Sequence, residues 1–198
     1  PMADQNTIQL LKDVPLFSDL NDKELAQIAE TMKRRQFSAG QEIAREGESG
    51  VGFFVIEDGN AKVTVHGEEK RRLGPGDYFG EISAIDGKPR AAGVMAIEEC
   101  VILALPRRLF LKVLAYYPQA ALRVMQRLAS IIRGANDRIM DLSTLGAQNR
   151  VQAELLRQAQ IHKTIRNTAV IEPIPMHSDI ASRVSTTRET VARVLNDL

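Results

Sequence analysis

Between residues 35 and 105 no apolar run lasts more than a few residues before a turn residue breaks it. Phe53-Phe54-Val55-Ile56 is followed by Asp58-Gly59. Ala61, Val63 and Val65 then alternate with Lys62, Thr64 and His66, and residues 101–105 close the stretch. Turn residues separate these runs at Gly40, Gly47, Gly50, His66-Gly67, Gly74-Pro75-Gly76-Asp77 and Asp86-Gly87. A period of two with glycine, proline and aspartate at the breaks is a strand pattern, because side chains alternate across a sheet and those residues supply the turn dihedrals. Short strands at this spacing predict a small antiparallel barrel or jelly roll. The pattern puts His66 on a strand as a solvated histidine and makes Cys100 a buried packing residue in an apolar strand.

On either side the period is helical. Asn21 with Glu24 three residues later forms a capping box, Leu20 and Leu25 staple the entry, and Leu25, Ile28, Ala29 and Met32 make one stripe. Strand character ends at Pro106, a residue suited to a first helical position, and Pro118 opens a longer helix. There Ala121, Met125, Leu128, Ile132, Ala135, Ile139 and Leu142 recur at alternating spacings of 4 and 3, which is a heptad seam. One reading packs this helix on its own barrel. The polar residues around the seam, among them Arg123, Gln126, Arg127, Arg133 and Arg138, narrow it and favour a coiled-coil homodimer. Ser143-Thr144-Leu145-Gly146 then breaks the rhythm. A helix over 149–159 carries Val151, Leu155 and Leu156, a β-prone piece over 168–174 is fenced by Pro173 and Pro175, and two helical patterns over 178–184 and 187–198 flank Ser185-Thr186. Two short helices joined by a tight turn predict a helix-turn-helix. The expected organisation is α+β: a β jelly-roll domain over 1–117, a dimerisation helix and hinge over 118–145, and a helix-turn-helix domain over 146–198.

Composition narrows the chemistry. Lys and Arg number 26 against 25 Asp and Glu, a net charge of +1, so any charge signal is local rather than global. The single cysteine, Cys100, excludes an internal disulfide, an iron–sulfur cluster and a zinc ribbon, and points to a reducing, cytoplasmic setting. Residues 1–6 carry no basic n-region and the apolar run over 8–11 stops at Lys12, so neither a signal peptide nor a membrane span is expected. His66 is the lone histidine of the barrel, which argues against a metal-dependent cupin. With no nucleophile–base constellation either, the chain is not expected to be an enzyme.

The densest signal is Phe79-Gly80-Glu81-Ile82-Ser83-Ala84, with Arg90-Ala91-Ala92 following. A glycine-led short helix presents unpaired backbone N–H groups to an anion, and an arginine nine residues past the glutamate returns a guanidinium to the same point. That combination cradles a phosphate. Glu81 would be repelled by the phosphate unless it accepts hydrogen bonds from sugar hydroxyls, which asks for a ribose 2′-OH. Singly, Arg90 reads as a surface ion pair and Glu81 as a solvated turn residue; the spacing makes the site.

Glu57-Asp58-Gly59-Asn60-Ala61, Gly76-Asp77-Tyr78-Phe79-Gly80-Glu81 and Arg90-Ala91-Ala92 resemble the phosphate-binding cassette of cyclic-nucleotide-binding domains. From about residue 17 to 198 the chain resembles the bacterial cyclic AMP receptor protein (catabolite activator) and FNR-type regulator family, and Thr187-Arg188-Glu189-Thr190-Val191-Ala192-Arg193-Val194-Leu195 is similar to that family's recognition helix. The resemblance implies that Glu81 holds the ribose and Arg90 the cyclic phosphate, with Gly80, Ile82, Ser83 and Ala91 completing the anion site. Ala91 after the arginine goes with cAMP, with cGMP as the alternative. Ala135-Asn136 stands where the family has an adenine-contacting Thr-Ser pair. The resemblance also implies a double-stranded operator read as an inverted repeat of TGTGA-like half-sites, contacts to it from His177, Thr187, Arg188, Glu189 and Arg193, and RNA polymerase as a partner. Ser185 replaces a common turn glycine at some conformational cost. The implied β-hairpin wing would follow Leu198 and is not in this sequence.

Arg188, Glu189 and Arg193 fall at i, i+1 and i+5 while Val191, Val194 and Leu195 face inward. Arginine fits a guanine edge and glutamate accepts from cytosine N4. The plainer alternative is an exposed ion pair between Glu189 and Arg193. The expectation is a homodimeric, cyclic-nucleotide-controlled transcription factor. The alternative is a nucleotide-sensing module acting on a partner protein.

Overall fold

A computed structural model describes residues 5–50, 52–161, 164–165 and 168–197. Residue contacts divide the chain into two compact units, one ending at Arg127 and the other beginning at Leu128.

The first unit opens with helix α1 (Gln5–Asp13), a 3-10 turn (Pro15–Phe17) and α2 (Asp22–Thr31). The capping box forms as expected: Asn21 Oδ1 accepts from the Glu24 N–H at 3.0 Å and Glu24 Oε2 accepts from the Asn21 N–H at 2.9 Å. Strands β1 (Lys33–Phe37), β2 (Glu42–Ala44), β3 (Gly52–Asp58), β4 (Ala61–Val65), β5 (Glu68–Leu73), β6 (Tyr78–Phe79), β7 (Gly93–Ala96) and β8 (Cys100–Pro106) follow, with α3 (Glu81–Asp86) between β6 and β7. They form two four-stranded sheets, ordered β1-β8-β3-β6 and β2-β7-β4-β5, and the strand pairs are antiparallel. This is the β-roll that the glycine-broken alternation predicts.

β3 explains why 53–56 is apolar without interruption. Phe54 and Ile56 join Leu73, Phe79, Ile102 and Cys100 in one buried cluster. Phe53 lies 5.8 Å from Phe17, edge-on, and stacks at 4.6 Å on Phe110 of α4 (Arg107–Tyr116). A strand covered on both faces has no polar side to alternate with.

His66 is not on a strand. It occupies the two-residue β4–β5 turn with φ 52°, followed by Gly67 at φ 80°. Two consecutive left-handed residues are what a tight hairpin of this twist requires. The His66 N–H donates to Glu46 Oε2 at 2.8 Å, which helps hold a conformation otherwise disfavoured for histidine.

α5 (Pro118–Thr144) is a single helix of 27 residues. Within the first unit Ala120 and Val124 are buried. These two lie off the predicted seam, whose Met125, Ile132 and Ile139 are 58%, 59% and 62% exposed.

In the second unit, α6 (Ala147–Ile161) packs with α7 (His177–Arg183) and α8 (Arg188–Asn196) around Val151, Ile180, Val184, Val191 and Val194. Leu155 packs against this core while Leu156 is exposed. The α7–α8 turn carries Ser185 at φ 51°, so serine does adopt the left-handed turn. Arg150 braces that turn, donating to the carbonyls of Val184 at 2.8 Å, Ser185 at 3.0 Å and Leu145 at 2.9 Å. Beneath α7, buried Glu154 accepts from Arg157 at 3.0 Å, Gln158 at 3.1 Å and Arg183 at 3.3 Å, and Arg157 also pairs with Asp141 on α5. The strand expected over 168–174 is confined to β10 (Thr168–Ala169), paired with β9 (Thr164–Ile165). Pro173 and Pro175 lack the N–H that a ladder needs and cannot extend the pairing, which has already ended at Ala169. Among the described residues no helix is long and apolar enough to cross a membrane.

Candidate ligand site and candidate nucleic-acid interface

The site is built where the loop before β3 meets α3. Gly80 caps α3 at φ 88°, and a Cβ there would stand 2.6 Å from the Gly52 carbonyl, so only glycine lets the two segments approach. A Cβ on Gly50 would likewise collide with Ser83, whose side chain is buried. The first-turn N–H groups of α3 have no intrahelical partner.

Arg90 arrives from the opposite direction. Its backbone is clamped by the same loop, the Arg90 N–H donating to the Glu48 carbonyl and the Gly47 N–H to the Arg90 carbonyl, both at 2.8 Å. Its guanidinium lies 5.0 Å from the Phe54 ring centre, and Nη1 is 3.2 Å from where a Gly80 Cβ would be. The residue is 7% exposed. Burial pushes its pKa down and the charge of Glu48 pulls it partly back. Among the described residues no carboxylate lies within ion-pair distance. A desolvated cation without an acid is costly, so this geometry is suited to an incoming anion.

Gly80, Glu81, Ile82, Ser83, Arg90 and Ala91 all line one cavity of about 140 Å³, together with Arg71. Glu81 and Arg71 are also walls of a neighbouring cavity of about 460 Å³ that includes Tyr78, Arg123, Gln126 and Arg127. Sequence reasoning missed this second space, because its walls come from β5, β6 and α5 and no local pattern marks them as neighbours. Ala135 and Asn136 belong to the other unit, exposed on α5.

The candidate DNA contacts are distributed along the α7–α8 pair, from the start of α7 to the last turn of α8. Thr187 caps α8, its Oγ1 accepting from the Thr190 N–H at 3.2 Å, and His177 begins α7. Arg188, Glu189 and Arg193 are exposed while Val191 and Val194 are buried. No ion pair joins Glu189 to Arg193 among the described residues. The Glu189 carboxyl is held below its usual range by its own backbone N–H, then by the Thr187 hydroxyl, then by the charge of Arg188.

Residues 34–117 match the model of the cyclic nucleotide-binding domain. The chain is 32% identical over 195 residues to the cyclic AMP receptor protein of Thermus thermophilus, covering 95% of this chain and 87% of that one. A CRP-like cAMP-activated global transcriptional regulator of Mycobacterium tuberculosis is 26% identical over 195 residues, covering 96% and 87%. A cAMP-dependent protein kinase regulatory subunit of Emericella nidulans is 40% identical over 106 residues, 52% of this chain but 26% of that protein. The crystal structure of the Thermus thermophilus catabolite activator protein superposes with a TM-score of 0.62 at 31% identity, covering 93% of this chain and 86% of that one. Roll and cassette together define a cyclic nucleotide-binding regulator. Full-length similarity goes further: the chain belongs to the cyclic AMP receptor protein family of CRP-like regulators, which are not enzymes.

Proposed function

We propose that this chain is a homodimeric transcription regulator of the cytoplasm, controlled by a cyclic nucleotide, with cAMP as the first candidate. The observation that carries the reading is Arg90, buried against the Phe54 ring with no ion-pair partner among the described residues. A cyclic phosphate supplies one negative charge and acceptor oxygens that the guanidinium fork and the α3 N–H groups match. Glu81 accepts from the ribose 2′-OH, Gly80, Ile82, Ser83 and Ala91 close around the phosphate, and Ala135 and Asn136 contribute to the base. The work divides among 1–117 for the ligand, 118–145 for pairing two copies, and 146–198 for DNA.

The exposed seam on α5 suits a second copy of the helix. A dimer presents two α8 helices to successive major grooves about 34 Å apart, which demands an inverted repeat. Arg188 and Arg193 read guanines and Glu189 a cytosine, while His177 and Thr187 lie at helix starts, where phosphates bind. RNA polymerase is the partner that a regulator so placed would engage.

Calorimetry on the wild type and on Arg90→Leu tests the ligand. The wild type gives heat with cAMP, and the variant binds at least tenfold more weakly, as expected when about 2–5 kcal/mol of desolvated charge pairing is lost. No heat with cAMP or cGMP from the wild type overturns the effector assignment. A gel shift on an inverted repeat of TGTGA half-sites, with and without nucleotide, tests the DNA. Nucleotide binding without retardation of the duplex would favour a module acting on a partner protein. That second reading is supported by kinase regulatory subunits that match about half of the chain.

A further inference from the structure

β5 is the outermost strand of its sheet and carries the basic run Lys70-Arg71-Arg72. Lys70 pairs with Glu68 at 2.7 Å and Arg72 with Glu69 at 2.8 Å. Arg71 has no acid within ion-pair distance among the described residues. The register shows which way it faces. Val63 pairs with Arg71 but Thr64 pairs with Glu69, so Lys70 is the extra residue of a β-bulge. Residues that stand opposite one another, or two apart on a strand, share a face of the sheet. Arg71 therefore shares the face of Val63 and Leu73, both packed with the core cluster of the roll, yet it is itself exposed and its guanidinium is open to a partner.

A charge turned inward can guard an edge strand against pairing with another chain. The cavities give Arg71 a second use. It lines the 140 Å³ cassette cavity together with Glu81 and Arg90, and it lines the neighbouring 460 Å³ cavity together with Glu81 but without Arg90. Arg71 and Glu81 are the charged residues common to both spaces, so Arg71 stands on the Glu81 side of the cassette. The Tyr78 hydroxyl senses the same neighbours: burial pushes its pKa up, Glu81 pushes it further, and Arg127 and then Arg71 draw it back.

With a cyclic nucleotide in place the charges divide. Arg90 and the cyclic phosphate cancel one another, and the Glu81 carboxylate is left beside the phosphate as a like charge. A cation on the ribose side offsets that repulsion. We propose that Arg71 is a positioning residue of the nucleotide site: its guanidinium balances the Glu81 carboxylate, so that Glu81 can face the 2′-OH beside a phosphate and the site selects ribose over deoxyribose, a role that rests on the cyclic-nucleotide reading above.

Calorimetric titration of the full chain with cAMP and with 2′-deoxy-cAMP tests it, on the wild type, Arg71→Gln and Arg71→Lys. The readout is the ratio of the two affinities, which a partly unfolded variant does not alter because both ligands meet the same folded fraction. The wild type is expected to prefer cAMP about tenfold or more, the worth of a hydrogen bond to a charged group. Arg71→Gln should cut that preference to about a third or less, whereas Arg71→Lys, which keeps the charge, should hold it within about twofold of the wild type. An unchanged preference in Arg71→Gln overturns the inference, both where the two affinities fall together, as for a guanidinium on the phosphate itself, and where neither moves, as for a guard of the strand edge. A preference lost equally in Arg71→Lys overturns it too, since charge would then not be what Glu81 needs. Wild-type protein that binds both nucleotides equally well also overturns it and leaves the cyclic-nucleotide reading standing. Heat with neither nucleotide overturns that underlying reading.

Discussion

The β-roll and the later turns of α5 use the same apolar residue types to opposite ends. In the roll, Phe53, Val55 and Ile56 have no exposed surface at all. Along α5, Ala120 and Val124 are buried in the first unit, and then Met125, Ile132, Ile139 and Leu142 stand open. A roll that closes its own core needs nothing further to hold its shape. A stripe of large apolar side chains left open at heptad spacing is a surface made for another helix. Burial therefore separates the part of the chain that completes its own core from the stripe to which the proposed function gives a second copy.

The strongest way to break that contrast is inside the roll. Phe53→Ala removes a ring that stacks on Phe110 and meets Phe17 edge-on and should cost about 3–5 kcal/mol of stability, read by denaturant unfolding of the nucleotide-free protein; a loss under about 1 kcal/mol would mean the roll is not self-supporting. On α5 the expected signature is different. Ile132→Glu should leave the roll folded and abolish self-association, forfeiting about 1.5–3 kcal/mol of burial per copy. Sedimentation showing an unchanged dimer would move the interface elsewhere.

The outer face of α8 extends the contrast, since it is polar surface to which the proposed function gives a DNA partner. Glu189→Ala should weaken operator binding by about 1–3 kcal/mol and relax preference at one base position. Equal weakening on operator and scrambled duplex would reduce Glu189 to a solvated residue. The smallest effect lies where α5 begins. Asp19 is held below the usual carboxylate range chiefly by its hydrogen bonds from Arg123. A depressed folded pKa gives stability that is present above the unfolded value and lost as pH falls through the folded one. Arg123→Gln should therefore move the Asp19 titration up toward the ordinary range, seen by NMR; an unmoved titration would detach the start of α5 from Asp19.

Much of this was legible in residue order. Period-two runs with glycine at the breaks specify the roll, since a strand's faces and its turns both leave local marks, and the Gly80–Arg90 cassette is compact enough to be read from spacing. His66 reads both as the end of a strand, because polar alternation runs straight through it, and as half of the His66-Gly67 break; the fold uses the turn, with both residues left-handed. The strand over 168–174 was overextended because β-prone residues speak before the prolines stop them. The wall of the larger cavity was invisible for a different reason. Arg71 sits in a basic run that reads as solvated strand, and Gln126 and Arg127 read as the polar side of a helix; only the fold brings them to Tyr78.

The cluster around Glu154 has a consequence for behaviour under changing ionic strength. Exposed charges in solution are screened over roughly 8–10 Å at 0.1–0.15 M salt, and contacts to nucleic-acid phosphates fall steeply as counterions accumulate. The Glu154 carboxylate has a side chain only 4% exposed, so although Arg183 is 41% exposed the pull between them is screened less than that between two surface charges. Salt thus acts on the outer face of α8 long before it acts on the ions that seat α7 against α6. Release from a polyanion in concentrated salt would be a parting of intact surfaces, with no loosening of the fold behind them.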